Sequence, residues 1–374
     1  MPNIAMVDLQ TQYQRLRPAI DKGIEEVLHS CQFINGQAVK DFTQHLADYL
    51  NVKHVIPCAN GTDALQIALM ALDLQPDDEV ITAPFTFVAT VEVIALLKLK
   101  PVFVDVNPCT FVINEYLLEQ AITPKTKAIV PVHLFGQASN MEAIMRIAQK
   151  HGIPVIEDNA QAIGADYLFS NGKRQKLGTI GEIGCTSFFP SKNLGCYGDG
   201  GALFTNDDDL AKKLNIIANH GSAVRYHHSE VGVNSRLDAI QAAILDVKLK
   251  ELDNFNAARQ KAAIYYSAHL KDIPTITVPK IARYSTHVFH QYTLLVEKDR
   301  DGLSNHLNSV GIPTGIYYPI PLHLQEAYNN GQYKVGDYPV SEELAQKVLS
   351  LPMHTELTEE TQHFIIQHIR DYFL

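Results

Sequence analysis

Tryptophan is missing from all 374 residues, and cysteine occurs only five times. Cys31, Cys58, Cys109, Cys185 and Cys196 form no C-x-x-C pair, and their number is odd. That excludes a disulfide framework and a cysteine-based zinc site, and it fits reduced thiols in a cytoplasmic protein. No apolar run reaches the ~20 residues of a membrane span. The opening "MPNIAMVDLQTQYQRLRPAI" lacks the basic start and apolar stretch of a secretory signal. Basic charge is scarce as well. Lys and Arg number 31 against 41 Asp and Glu, a net charge of -10. With no run of Lys and Arg, nucleic acid is not an expected partner. Lys173-Arg174-Gln175-Lys176 follows Asn171-Gly172 and predicts a solvated hairpin.

Nucleotide and metal motifs are absent too. Gly195, Gly198, Gly200 and Gly201 do not fall into G-x-G-x-x-G ahead of a helix. Gly172-Lys173 is followed by Arg174 rather than Ser or Thr, so there is no Walker motif. The sixteen histidines contain no H-E-x-x-H, so no metal site is expected. His227-His228, His287 and His290 are expected to be satisfied or surface histidines.

What is present is a regular alternation. The chain is 46% hydrophobic, enough for a sizeable core and more than one domain. From residue 54 to about 220, short β-type runs alternate with helical patterns: "HVIPCA", "DEVITAP", "PVFVDV", "KAIVPVHL", "IPVIEDNA", "GCTSFF" and "GALFTN". This predicts an α/β fold with a largely parallel sheet covered on both faces. Past residue 234 comes one long helical pattern, "SRLDAIQAAILDVKLKELDNFNAARQKAAIYYSAHL". The strands "HVFHQYTLLVE" and "PTGIYY" and the helices "RDGLSNHLNSVG", "SEELAQKVLSL" and "EETQHFIIQHIRDYF" follow. Residues 1–249 are therefore expected to form a large domain with an N-terminal helical arm. Residues 250–374 are expected to form a smaller α+β domain.

Ligands of such sheets sit beyond the carboxyl ends of the strands. Three strand ends carry chemistry. Asn60-Gly61-Thr62-Asp63 opens a helix whose N–H groups and dipole favour a phosphate. Asp158, after "IPVI", is a carboxylate in a costly place without a cationic partner. Lys192 is the only basic residue of "CTSFFPSKNLGCYGDGGALFTN". A lysine isolated among apolar residues and glycines has a lowered pKa and is a candidate nucleophile for a carbonyl. Taken singly, the first two have plainer readings as helix caps. Together, a phosphate cradle, a buried acid and an isolated lysine meet the requirements of pyridoxal phosphate. It brings an aldehyde, a phosphate and a ring nitrogen that needs a carboxylate.

At these residues the chain resembles the DegT-type family of pyridoxal-phosphate sugar aminotransferases. The resemblance runs through "FINGQAVKDFTQHLADYLNVKHVIPCANGTDALQIAL", "DEVITAPFTFVAT", "IPVIEDNAQAIGA", "TSFFPSKNLGCYGDGGALFTND", "GVNSRLDAIQAAIL" and "YPIPLHLQ". It implies fold type I, the aspartate-aminotransferase architecture, with a mostly parallel seven-stranded sheet. It implies that Lys192 joins the cofactor and moves the proton, that Asp158 pairs with the ring nitrogen, and that Gln161 lies near the ring's phenolic oxygen. Phe87 would stack on the ring. Gly61, Thr62 and Ser187 would hold the phosphate. Asn234 would reach the cofactor phosphate of a second subunit, so a homodimer with shared active sites is implied.

"RYHHSEVGVNSRLDAIQAAIL" and "YYPIPLHLQ" are similar to the members acting on a UDP-linked 3-oxo-N-acetylglucosaminuronate. L-glutamate would be the amino donor, leaving as 2-oxoglutarate, with the cofactor passing through its pyridoxamine form. Arg236 is the implied partner of the uronate carboxylate. Arg225 and His228 on a loop rim, and Tyr317, Tyr318 and His323, are further substrate candidates. Relatives read His-Tyr-Pro where this chain has Tyr317-Tyr318-Pro319. Amination of a dTDP-3-oxo-6-deoxyhexose or a UDP-4-oxo sugar, or a sensor role on the same fold, are the alternatives.

Overall fold

The computed structural model describes residues 4–329 and 331–373. Two helices lead in: α1 (Leu9–Ser30) and α2 (Gln37–Leu50). Asp8 caps α1 by accepting from the Thr11 N–H at 2.9 Å. Val39, Phe42, Leu46 and Leu50 recur at helical spacing along α2 and are buried. Next come β1 (His54–Cys58), α3 (Gly61–Ala71), β2 (Glu79–Thr82), α4 (Ala89–Leu96), β3 (Lys100–Phe103) and β4 (Thr126–Ile129). After these lie α5 (Met141–His151), β5 (Ile156–Asp158), β6 (Ile183–Ser187), β7 (Gly201–Thr205) and α6 (Asp208–Ala218).

The strands form one sheet in the order β3-β2-β4-β5-β6-β7-β1. Backbone bonds from Ile129 N to Pro154 O and from Asp158 N to Pro131 O, both 3.0 Å, join its halves across β4 and β5. Only β7 runs antiparallel, pairing with β1 and β6. The seven-stranded, mostly parallel sheet is thus present. It is apolar on both faces because helices cover both, as parallel sheets require. The stretch Arg174–Lys176 pairs with Asp166–Leu168 as a hairpin, as its Asn-Gly turn predicts.

The long helical pattern breaks in two. Helix α7 (Ala239–Leu249) and α8 (Leu252–Leu270) meet at a turn over Lys250 and Glu251. Beyond lie β8 (Ile276–Thr277), β9 (Tyr292–Val296), α9 (Arg300–Ser309), α10 (Pro339–Lys347), β10 (Val348–Leu351) and α11 (Glu359–Phe373). Strands β8, β9 and β10 form a small antiparallel sheet with its own core, including Tyr266, Leu294, Leu303, Leu349 and Ile365. Ile4 is buried in that same core, and Met353 N donates to Met6 O at 3.1 Å. The start of the chain therefore packs with the C-terminal unit, not with the large one.

Two sequence expectations are corrected here. "SEELAQKVLSL" is not one helix, because Val348–Leu351 is fully buried and pairs with β9, so tertiary pairing overrides helix propensity. "PTGIYY" is not a strand. Gly315 makes a single bridge to Ser350, and Pro313 and Pro319 on either side have no N–H to extend the ladder. No helix among the described residues is long and apolar enough to cross a membrane.

One buried group fixes the strand ends. Glu157 and His133 have no exposed surface, and their side chains meet at 2.9 Å. The Glu157 carboxylate also accepts the N–H groups of Gly178 (2.9 Å), Ile180 (2.5 Å) and Gly181 (2.7 Å). Replacing it leaves four donors without their acceptor, two of them buried and two half-buried. Glu157→Ala is expected to destabilise the fold by about 3 kcal/mol or more, read as a lower urea midpoint with an unchanged slope. A midpoint equal to wild type would contradict this frame.

Candidate active site

Four loops at the carboxyl ends of β1, β2, β5 and β6 surround a cleft of about 670 Å³. Asp158 ends β5 on its floor. Its carboxylate accepts from Thr90 Oγ1 at 2.8 Å and from Ala160 N at 3.2 Å. Burial nevertheless raises its pKa, only partly offset by these bonds and by the charge of Lys192. A carboxylate so placed still lacks a full countercharge.

Lys192 lines the same cleft, on the loop between β6 and β7. Burial lowers its pKa to about 8, against a smaller pull upward from Asp158. The neighbouring Asn193 is buried and anchors the loop. Its Nδ2 donates to Asn256 Oδ1 at 2.7 Å and to Val288 O at 2.9 Å. The lysine thus extends from a fixed base.

Helix α3 begins at the cleft with Gly61. Asn60 caps it by accepting from the Asp63 N–H at 2.8 Å. The N–H groups of Gly61 and Thr62 find no acceptor among the described residues. A Cβ on Gly61 would come within 2.7 Å of Ser187 Cβ, so only glycine lets the helix start lie this close to β6. The result is a cradle of free N–H groups and hydroxyls suited to a phosphate.

The walls are aromatic. Phe87 is 51% exposed and lines the cleft, where its ring face is open to a flat ligand. Gln161 is oriented from both ends. Its Oε1 accepts from Phe135 N at 2.7 Å, and its Nε2 donates to Tyr318 OH at 3.2 Å. Tyr318 also packs against Phe85 and Phe87. Thr86 Oγ1 is buried at the cleft without a partner among the described residues. An anion cradle, an undercompensated carboxylate, an exposed flat ring and a lysine fit a phosphorylated aromatic aldehyde such as pyridoxal phosphate.

Of the residues expected from the sequence, Gly61, Thr62, Phe87, Asp158, Gln161, Ser187, Lys192, Tyr317 and Tyr318 line this one cleft. Asn234 is exposed and Arg236 half-buried, and neither lines it. Ser235 between them is turned inward, its Oγ accepting from Ala59 N at 3.0 Å. Arg225 and His228 lie on an exposed hairpin of Ser222–Val224 and His227–His228. His323 is not brought to the cleft. It has no exposed surface, its Nε2 meets Glu342 Oε1 at 3.0 Å, and Phe103 and Tyr338 pack against it. Its expected contact with substrate is thus replaced by a packing role.

His290 is the reverse case. Expected to be an ordinary histidine, it lines the cleft together with Lys192 and Gln291. Nothing in its local sequence separates it from the rest of the sixteen histidines.

Fold and site together define a fold-type-I transferase whose cleft holds a buried lysine of lowered pKa. Residues 14–370 match the DegT/DnrJ/EryC1/StrS aminotransferase family, and the chain belongs to it. It is an aminotransferase. The chain is 50% identical over 354 residues to the UDP-2-acetamido-2-deoxy-3-oxo-D-glucuronate aminotransferase of Pseudomonas aeruginosa, covering 95% of this chain and 96% of that one. It is 46% identical to the UDP-N-acetyl-3-dehydro-alpha-D-glucosamine 3-aminotransferase of Acidithiobacillus ferrooxidans, covering 96% and 94%. A pleiotropic regulatory protein of Geobacillus stearothermophilus is 48% identical, covering 99% of both chains. Among solved structures, S. venezuelae DesV in complex with a ketimine intermediate superposes with a TM-score of 0.95 at 37% identity, covering 100% and 99%.

The lowered pKa has a direct consequence. With a pKa near 8, ~10% of Lys192 is the free amine at pH 7, against ~0.03% for an ordinary lysine. Only the free amine attacks an aldehyde, so reactivity rises with pH. Cofactor-free protein treated with a small aldehyde and a hydride reductant is expected to be labelled at Lys192, with half-maximal rate near pH 8. A rate still climbing steeply above pH 10 would contradict the assignment.

Proposed function

We propose that this chain uses pyridoxal phosphate to move the amino group of L-glutamate onto C3 of a UDP-linked 3-oxo-N-acetylglucosaminuronate. The product is a UDP-2-acetamido-3-amino-2,3-dideoxy-glucuronate. The observation that carries the reading is the convergence of Lys192, Asp158, Gln161, Phe87 and the Gly61 cradle on one cleft. Near half-identity with the two UDP-sugar 3-aminotransferases supports the substrate class. The bound cofactor supplies an aldehyde that accepts an amine and a ring that withdraws electrons.

The residues divide the work. Gly61 and Thr62 N–H groups with Ser187 hold the phosphate. Asp158 would hold the ring N–H and favour its protonated form. Phe87 would pack on the ring face, and Gln161 Nε2 would donate toward the ring's phenolic oxygen. Lys192, set free as an amine at near-neutral pH, takes the proton from the donor's α-carbon and later returns one to the sugar carbon. Tyr317 and Tyr318 form the substrate-side wall.

Asn234 and Arg236 do not line their own cleft, which supports a homodimer in which each subunit completes the other's site. In that arrangement Asn234 reaches the second cofactor's phosphate and Arg236 forks onto the uronate carboxylate. Arg225 and His228 would rim the second site from the exposed hairpin. The enzyme is expected to work in the cytoplasm, where nucleotide sugars for surface polysaccharide are made. The regulatory name of one relative favours a sensor reading, but a sensor has no use for a lysine poised as a free amine.

The test is a pair of half-reactions. Cofactor-loaded enzyme is given L-glutamate, freed of excess donor, then offered oxo-sugar nucleotides singly, with mass spectrometry of the products. Release of 2-oxoglutarate, followed by amination of the UDP 3-oxo-uronate alone, is expected. Amination only of a dTDP-3-oxo-6-deoxyhexose or a UDP-4-oxo sugar would overturn the substrate. Absence of 2-oxoglutarate would overturn the donor. Arg236→Ala is expected to raise KM for the uronate about 10- to 100-fold, as for loss of a charge-assisted bond. Lys192→Ala should stay folded and complete no turnover.

A further inference from the structure

We propose that His290 is a substrate-contacting residue: a neutral imidazole whose Nε2–H donates a hydrogen bond to an oxygen of the acceptor sugar at or beside the carbon being aminated. This rests on the aminotransferase reading and adds a residue to it.

The backbone at this point is strained and held. Phe289, a bulky residue, has φ +46°, a conformation its type rarely adopts. Five bonds fix the segment. Arg259 donates to Phe289 O at 3.2 Å and to His290 O at 3.3 Å. Asn193 donates to Val288 O at 2.9 Å, Val288 N to Gly136 O at 2.9 Å, and Phe289 N to His287 Nδ1 at 3.1 Å. Gly136, at φ +102°, leaves no room for a side chain, since a Cβ there would meet Phe289 N at 2.9 Å. Strain of this kind persists where the surroundings over-determine it, and functional sites are where it collects. The same Asn193 anchors the Lys192 loop, so lysine and histidine are set on one framework.

The ring itself has work left over. His290 is 5% exposed, and its Nδ1 is sealed without a partner among the described residues. Burial holds its pKa well below the ordinary value, and the nearby charges of Lys192 and Arg259 push the same way. Both effects favour the neutral ring. A sealed N–H without an acceptor is a rarer and costlier arrangement than a sealed lone pair. That puts the proton on Nε2, the nitrogen left to meet the cleft. The phosphate end is served by Gly61, Thr62 and Ser187, and the ring nitrogen by Asp158. A donor beside Lys192, on the segment leading into β9, is left for an oxygen of the reacting sugar.

The first test needs no turnover. In ¹⁵N-histidine-labelled, cofactor-free protein, the His290 signal, assigned by its loss in His290→Gln, is expected to show the neutral Nε2–H tautomer at pH 7.5. An Nδ1–H tautomer or a charged ring would overturn the proposal. The second test uses both half-reactions of the loaded enzyme, with urea midpoints confirming that the variants fold. His290→Phe is expected to raise KM for the sugar about 10-fold or more and to slow the glutamate half-reaction by a smaller factor. His290→Gln, which keeps a donor, should recover part of the loss. An unchanged sugar half-reaction, equal slowing of both halves, or equal loss in both variants would each overturn it. Inactivity of wild type in both halves would instead count against the aminotransferase reading.

Discussion

A carboxylate at the end of a central strand, short of a cation, is the constraint around which this molecule is arranged. Asp158 sits where six parallel strands direct their carboxyl ends, and its two hydrogen bonds do not lift the cost of burying its charge. The Lys192 amine answers only in part, because burial lowers its own pKa and makes it a poor permanent counterion. Two groups that would neutralise each other in a purely structural pair are instead both kept off balance. A ring N–H on a bound pyridoxal phosphate would satisfy the acid, and the aldehyde on the same ring would use the amine.

The rest of the fold keeps that imbalance in place. Glu157 gathers four donors directly beside Asp158 and fixes the strand end. Asn193 ties the lysine loop to α8 and to the segment before β9, so the large unit and the C-terminal unit meet at the reacting end of the cleft. The large unit provides the cradle, the acid and the lysine. The C-terminal unit provides Tyr317, Tyr318, Gln291 and His290. In the proposed reading the cofactor contacts fall in the large unit and the further substrate contacts in the C-terminal unit, a division that would let acceptor preference change without disturbing the machinery.

Much of this was legible in the chain itself. Strand–helix alternation declared the parallel sheet, and residues directly after apolar runs had to converge whatever the exact boundaries. Lys192 and Asp158 stood out because their types are costly in those positions. The failures share one physical cause, dependence on distant partners. Val348–Leu351 reads as a helix end until β9 lies beside it. His323 stands in a motif-like stretch, but Glu342 and Phe103, distant in sequence, enclose it. His290 gives no local signal, since its place in the cleft is set by a strained neighbour and by Arg259 and Asn193, distant in sequence. Ile4 joins the C-terminal core, a contact between the two ends of the chain that no local pattern encodes.

The most direct test of the account is the protonation state of the cofactor's ring nitrogen. Enzyme loaded with pyridoxal phosphate labelled with ¹⁵N at that position would be examined by NMR at pH 8, beside Asp158→Asn. The expected result is a protonated nitrogen in the wild type and an unprotonated one in the variant. An unprotonated nitrogen in the wild type would mean that the Asp158 carboxylate has no cationic partner there, and the account built on it would be contradicted.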